Sequence, residues 1–524
     1  MRPVSVGTAP GDLRRPGSVA ARAGARGVLA DPAVAAVAAL TLLGAVLRLY
    51  RLGHQGFWFD EGNTALLVHF APGKMLGLIP QTESTPPLYY CVAWVWARVF
   101  GYGEVGLRSL SALAGVALIP VVYGAGARLV SRRAGLIAAA LAACSPLLVW
   151  YSQEARSYSL LALLTALSLL AFAFARSAQT PGALVGWVIA SAAALATHYY
   201  AALVVVPEAL WLLWAHRRSR PVQISFAVVS ACGLGLIPLA ISQQSTGRAN
   251  WIAHAPFGRR LGQVVPQFVA GFSGPAHGAF AGLAIAVVVL ALVLLVTRSE
   301  PGPRRGALLA GGIALAGLLI SLALVVVGFD DFLTRNLLAI WAPAAVLVAG
   351  GLAVPRPRFV GLLLTVVLCG MGVITAGAVA FDRDFERPDW RVVAQVLGSR
   401  SATGGRAILV QHYRDLLPLS LYEPGLRFWP GRSSIPVREF DVVSFSAPAS
   451  SGFCWWGSAC NLWPSSVQAS YPIAGFHAVS ERRVLQFTIV RMVSSHPVRV
   501  TQAAVSKVLT NTRFANDELL LQRP

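Results

Sequence analysis

Eleven stretches of this chain are apolar for long enough to cross a bilayer, at about residues 32–50, 107–129, 134–150, 159–175, 182–197, 201–215, 222–241, 278–297, 306–328, 338–353 and 359–381. Each comes close to the roughly twenty residues that a helix needs to span hydrocarbon. With the N-terminus inside, Arg176 and the arginine-rich turns at 131–133, 216–220, 298–305 and 354–358 all fall on the cytoplasmic side, as the positive-inside rule requires. A further apolar stretch, "PPLYYCVAWVWARVFGYG" (86–103), would reverse that parity if it crossed. It is short, opens on two prolines and holds Arg98 near its end. It is therefore expected to lie against the outer leaflet as an interfacial helix, with its Trp and Tyr at headgroup depth. One basic segment breaks the rule: the outer "FGRR" (257–260), whose one evident use is contact with an anionic substrate.

Both ends of the chain differ in character from this core. Residues 1–31 are basic and rich in Gly, Pro and Ala, and read as a disordered cytoplasmic tail. A signal peptide fits poorly, because "RLYRLG" rather than a small-residue cleavage site follows the first apolar run. The core is taken as 32–381, and residues 382–524 as an extracytoplasmic α/β domain. Within it, 390–398 reads as a helix, 405–411 as a buried strand, 482–493 ("RRVLQFTIVRMV") as a strand and 501–509 as a closing helix. Cys454 and Cys460 either form a disulfide closing a short loop or remain two thiols, since spacing alone does not choose.

Composition narrows the function classes. The chain is 56% hydrophobic and 12% charged, whereas soluble proteins carry roughly 25% charged residues. The net charge of +21 resides in short arginine runs between apolar segments, and no basic patch with interleaved aromatics suggests nucleic acid. No internal repeat of the kind found in secondary transporters is apparent.

The topology brings most of the polar oddities to the outer boundary: Asp60, Glu61, Glu83, Glu154, Arg156, His198, Arg248, His254, Asp330, Asp331 and Arg335. Charged groups at membrane depth are costly, so such a set marks a functional site. Arginines and a histidine suit a phosphate, a carboxylate suits a general base, and aromatics suit a sugar or lipid. "GYGEVG" (101–106) matches a dinucleotide fingerprint only in letters, having no strand before it and no βαβ unit around it. The residues at the outer boundary also admit purely structural readings. Asp60 and Glu61 as a helix cap, Arg156 and Arg335 as snorkelling arginines, and His198 as a satisfied interfacial histidine are the structural ones. Asp330 and Asp331 read as a solvated loop pair, and most tryptophans as membrane belt, with Trp58 a candidate for stacking on a sugar.

"FWFDEGNT" (57–64) resembles the acidic first-loop motif of the GT-C superfamily of membrane glycosyltransferases. "STPPLYY" and "FGYGEVGLRSLSALAG" are similar to the proline motif and second span of its family 39 branch, which includes protein O-mannosyltransferases and bacterial aminoarabinose transferases. "WYSQEARSYSLL", "THYY", "TRNLLAIWAPA" and "RPDWRVVAQVL" resemble later landmarks of bacterial members. The resemblance implies a polytopic α-helical enzyme in the bacterial cytoplasmic membrane. It would move a sugar from a polyprenyl-phosphate donor to a hydroxyl of a protein, lipid or polysaccharide acceptor, with inversion, at the outer face. Carried onto this sequence, Asp60 is the base and Glu61 orients acceptor or sugar. Arg156, His198 and Arg335 hold the donor phosphate, Glu154 shapes the sugar site, and Glu83, Pro86, Pro87 and Tyr89 form the acceptor or motif region. Thr85 stands where many relatives carry His or Lys. Some relatives bind a divalent metal, but no ligand spacing in this chain calls for one. Two other classes stay open: a lipid or solute transporter, and a non-catalytic cell-envelope binding protein.

Overall fold

A computed structural model describes residues 31–398, 405–410, 416–423, 425–428, 434–445, 473–501 and 518–522. The basic tail, both C-terminal cysteines and the expected helix at 501–509 lie, apart from Asp31 and Thr501, outside the described residues.

Among the described residues, eight helices are long and apolar enough to cross a membrane, and the bent pair Arg132–Cys144 and Pro146–Ser152 makes a ninth candidate. Pro181–Thr197 and Tyr199–Ala215 are shorter apolar helices; with them the count reaches the eleven spans read from the sequence. Leu88–Phe100 is a helix of 13 residues, about 20 Å of rise against about 30 Å of hydrocarbon. Just before its start, Thr85 hydrogen-bonds Tyr90, and near its end Trp96 donates to the Gly106 carbonyl in the first turns of the Glu104–Leu129 helix. Along its length Tyr89, Ala93 and Ala97 pack with Val68, Ile79 and Leu107, so it lies along one end of the bundle, too short to cross.

The bent span shows how a polar group is tolerated inside the bundle. Pro146 has no N–H, so the Ala142 carbonyl loses its helical partner. The fully buried Arg48 replaces it, donating to Ala142 O at 2.8 Å, Ala143 O at 2.9 Å and Gly44 O at 3.1 Å. Ser145 accepts from the Leu148 N–H and caps the continuing helix.

The basic turns gather at one end of the bundle, where Arg133 donates to the carbonyls of Val354 and Arg358. The outer "FGRR" receives a different account from the one expected. Arg260, 1% exposed, makes a two-pronged ion pair with Asp330 at 2.6 Å. That pair gives the buried Arg260 and the supposed solvated Asp330 a structural role, while Arg259 is exposed.

At the opposite end sits a six-stranded sheet in the order β2-β6-β1-β3-β5-β4. The strands are β1 Arg406–Val410, β2 Leu426–Phe428, β3 Ile435–Phe445, β4 His477–Val484, β5 Phe487–Val500 and β6 Glu518–Gln522. β1 and β3 are parallel, and the other pairs are antiparallel. Ala407 and Leu409 face one core with Phe440, Val442, Val490 and Met492. Ile408 and Val410 face the other, beneath the helices Trp390–Leu397 and Leu416–Tyr422. The single strand expected at 482–493 is instead a hairpin: the chain reverses at Leu485, which adopts φ 53°, between β4 and β5.

Candidate active site

The acid pair sits on a short helix, Phe59–Leu67, at the sheet-bearing end. Successive helical residues point about 100° apart, and Asp60 and Glu61 accordingly meet different surroundings. Glu61 is fully buried. It takes two hydrogen bonds from Arg108, at 2.7 and 2.6 Å, and one from the Ala155 N–H at 2.8 Å. Arg108 also holds the carbonyls of Leu52, Gln55 and Gly56, so this pair fixes the loop leading into the helix. Sequence reasoning passed over Arg108. The signal was an arginine in the opening turns of an apolar span, which at membrane depth calls for a partner.

Asp60 lines a cavity of about 110 Å³ whose wall also carries Glu83, Arg156, His198, Asp331 and Arg335. Five segments far apart in the chain supply these groups. Arg335 donates to the Asp60 carboxylate at 2.8 Å. Arg156 donates to Glu83 at 3.0 Å and to Thr64 at 3.3 Å, while Asn63 donates to Glu83 at 2.6 Å. Each guanidinium on this part of the wall thus lies against a carboxylate. Burial alone would make Arg156 a weaker base, but Glu83, Tyr90, Asp60 and Tyr158 together outweigh it and hold the guanidinium well above its ordinary value.

His198 closes another part of the wall. Burial, with Arg156 and Arg335 nearby, pulls its pKa down to about 3, so the ring is neutral at physiological pH. Its Nδ1 accepts from the Tyr200 N–H at 3.2 Å, which leaves the proton on Nε2. A neutral donor beside two guanidiniums suits a phosphate oxygen. Arg248 and Trp251, from the segment after the Ile237–Gln244 helix, also line the cavity. The Arg335 guanidinium lies 5.7 Å from the Trp251 ring centre and 5.9 Å from that of Tyr158.

The remaining expected residues stand behind the wall. Glu154 is buried, 3.7 Å from Arg387, and its carboxyl is raised to about 8 by burial, against the pull of Arg387. Pro86 and Pro87 lead into the Leu88–Phe100 helix, Tyr89 is packed in a core beneath it, and Thr85 lines the cavity itself. Trp58, 4% exposed, belongs to the bundle core, and the aromatic side chains at the cavity wall are Phe59, Tyr158, Tyr200 and Trp251. Among the described residues, no group of three metal-ligating side chains could hold a metal ion.

Residues 84–242 match the family model described as dolichyl-phosphate-mannose-protein mannosyltransferase. Most of the chain is similar in fold to ArnT from Cupriavidus metallidurans. For the structure bound to undecaprenyl phosphate the TM-score is 0.53 at 16% identity, covering 87% of this chain and 97% of that one. For the apo structure it is also 0.53 at 16% identity, covering 89% and 98%. No curated protein matches the sequence.

Proposed function

We propose that this chain is a membrane glycosyltransferase of the GT-C type, a reading supported by its fold and its mannosyltransferase-family segment, and that it transfers a sugar from a polyprenyl phosphate to an acceptor hydroxyl with Asp60 as general base. The observation that carries the reading is the cavity wall, where one face holds the Asp60 carboxylate, two guanidiniums in ion pairs and the neutral His198. An incoming phosphate competes with Asp60 for Arg335 and with Glu83 for Arg156. Drawing Arg335 away leaves Asp60 the stronger base at the moment the donor is in place.

The step is one displacement. Asp60 takes the acceptor hydroxyl proton, the oxygen attacks the anomeric carbon, and the bond from that carbon to the phosphate oxygen breaks with inversion. The electron pair leaves on the lipid phosphate. Charge grows on that phosphate, so cations rather than an acid are needed there, and Arg156, Arg335 and the His198 Nε2–H supply them. Glu61 enters only by fixing the helix that carries Asp60. Tyr158 and Trp251 provide ring faces for a sugar. The cavity is small for a sugar phosphate, since ligand pockets begin near ~300 Å³, so part of its wall moves when the donor enters. In the bacterial envelope the sheet-bearing end would face outward, where the lipid-linked donor and acceptor meet.

The test is a transfer assay in membranes from a host lacking the activity, with a panel of radiolabelled polyprenyl-phosphate sugars. Wild type is expected to transfer label from at least one donor, and Asp60→Asn to lose about 10²–10⁴-fold in rate at unchanged folded yield. Full activity in Asp60→Asn would remove the base from the mechanism.

A further inference from the structure

The two glycines that bracket the acid motif, Gly56 and Gly62 in "GFWFDEG", both face the C-terminal domain. A Cβ on Gly62 would come within 2.9 Å of the Pro418 nitrogen, and one on Gly56 within 2.7 Å of Arg391 Cβ while running into the Asp389 carboxylate. Backbone this close leaves no room for a side chain, so the motif loop and the domain are fitted to each other. Polar contacts fix the same interface. The Tyr422 hydroxyl accepts from the Phe57 N–H at 2.7 Å and donates to Glu104 at 2.7 Å. Arg391 reaches Glu104 at 3.2 Å and the Gly53 carbonyl at 3.3 Å. Leu417, from the same Leu416–Tyr422 helix, enters the cavity wall.

The loop before Asp60 is therefore held from two sides. Arg108 grips its carbonyls from within the bundle, and Tyr422 grips the Phe57 N–H from the C-terminal domain. From this we infer that the C-terminal domain is the positioning element of the acid motif, with Tyr422 as its positioning residue and Leu417 as the part of the cavity wall that it contributes. A helix of nine residues gains little rigidity on its own, so an external clamp at its entry sets where the Asp60 carboxylate points. The consequence for transfer rests on the reading of Asp60 as base; the mechanical claim does not.

Tyr422→Phe removes both hydroxyl contacts and keeps the ring. In the full-length chain, hydrogen exchange followed by mass spectrometry is expected to show peptides within 53–67 exchanging about tenfold faster or more, while those within 104–129 stay as in wild type. With the radiolabelled polyprenyl-phosphate sugar that wild type uses, kcat is expected to fall about tenfold with KM within about threefold, because the clamp aligns the base without touching the donor. Gly62→Ala, which pushes the helix off Pro418, is expected to give the same pair of changes. Wild-type exchange over 53–67 in both variants overturns the proposal, whether or not kcat changes. If wild type transfers no sugar from any donor while 53–67 still loosens, the clamp stands and the glycosyltransfer reading fails.

Discussion

Asp60 and Glu61 are neighbours in sequence with opposite fates, and the difference lies in what stands opposite each. Glu61 has every charge satisfied by the buried Arg108, an arrangement whose loss of one partner costs several kcal/mol, about 3–5. Asp60 keeps a face to the cavity. The letters "DE" do not reveal which acid is which, because the answer depends on Arg108, 47 residues on and one span away. The gathering of Asp60, Glu83, Arg156, His198 and Arg335 was legible through topology and motif order. Trp251 and Leu417 were not, since each reaches the wall from a segment with no motif of its own; Tyr200 and Asn336 lie within "THYY" and "TRNLLAIWAPA", where nothing singled them out from their neighbours. Glu154 offers a test at this scale. Burial raises its folded pKa from 4.5 to about 8, so the folded chain holds a proton there that the unfolded chain releases. Stability then falls as pH rises from about 4.5 to about 8, by at most about 1.4 kcal/mol per pH unit. Glu154→Gln removes that slope. Its melting temperature in detergent is expected to drop less than that of wild type between pH 5 and 8.5; parallel curves would mean that Arg387 keeps Glu154 ionised in the fold.

At the scale of elements, hydropathy placed the spans to within a few residues, and charge parity gave the short helix at 88–100 its place along one end of the bundle. Two features escaped. The hairpin turn at Leu485 lies inside an apolar run, "VLQF", with no Gly, Asn or Pro to mark it, so a left-handed leucine there was invisible to pattern. The 55° bend between Arg132–Cys144 and Pro146–Ser152 was signalled by Pro146, but the group that makes it tolerable was not. Arg48 comes from the first span and donates to the Ala142 and Ala143 carbonyls at the bend. Charged hydrogen bonds contribute about 1.5–3 kcal/mol each, and an orphaned carbonyl in the bundle adds its own penalty. Arg48→Leu is therefore expected to destabilise the chain by on the order of 3 kcal/mol or more, seen as a lower unfolding midpoint in detergent. In that background Pro146→Ala, which restores an N–H to the Ala142 carbonyl, is expected to recover part of the loss. A midpoint unmoved by Arg48→Leu would mean that water or a neighbouring helix satisfies those carbonyls instead.

At the scale of the whole molecule, the polar groups divide between two ends. The turns at 131–133 and 354–358 meet through Arg133, and Arg128 and His216 lie close to the start of the loop after Ala175. The cavity, the Arg260–Asp330 pair and the sheet occupy the other end. The structure separates the ends; by the positive-inside rule the arginine bias would place the basic turns on the cytoplasmic side. Orientation decides which donors are within reach, since a sugar on a lipid phosphate is available only on the leaflet to which it has been delivered. Single cysteines placed in a chain whose six native cysteines are replaced can measure it. Ser245→Cys and Glu481→Cys, both at the sheet-bearing end, are expected to react with a membrane-impermeant maleimide in intact cells. Ser219→Cys and Ser299→Cys, in the basic turns, are expected to react only after the membrane is opened. The reverse pattern would put the cavity in the cytoplasm and oblige the donor to be a sugar carried on the inner leaflet. Labelling of all four in intact cells would put the basic turns on the same side as the cavity, and the eleven-span reading would fall.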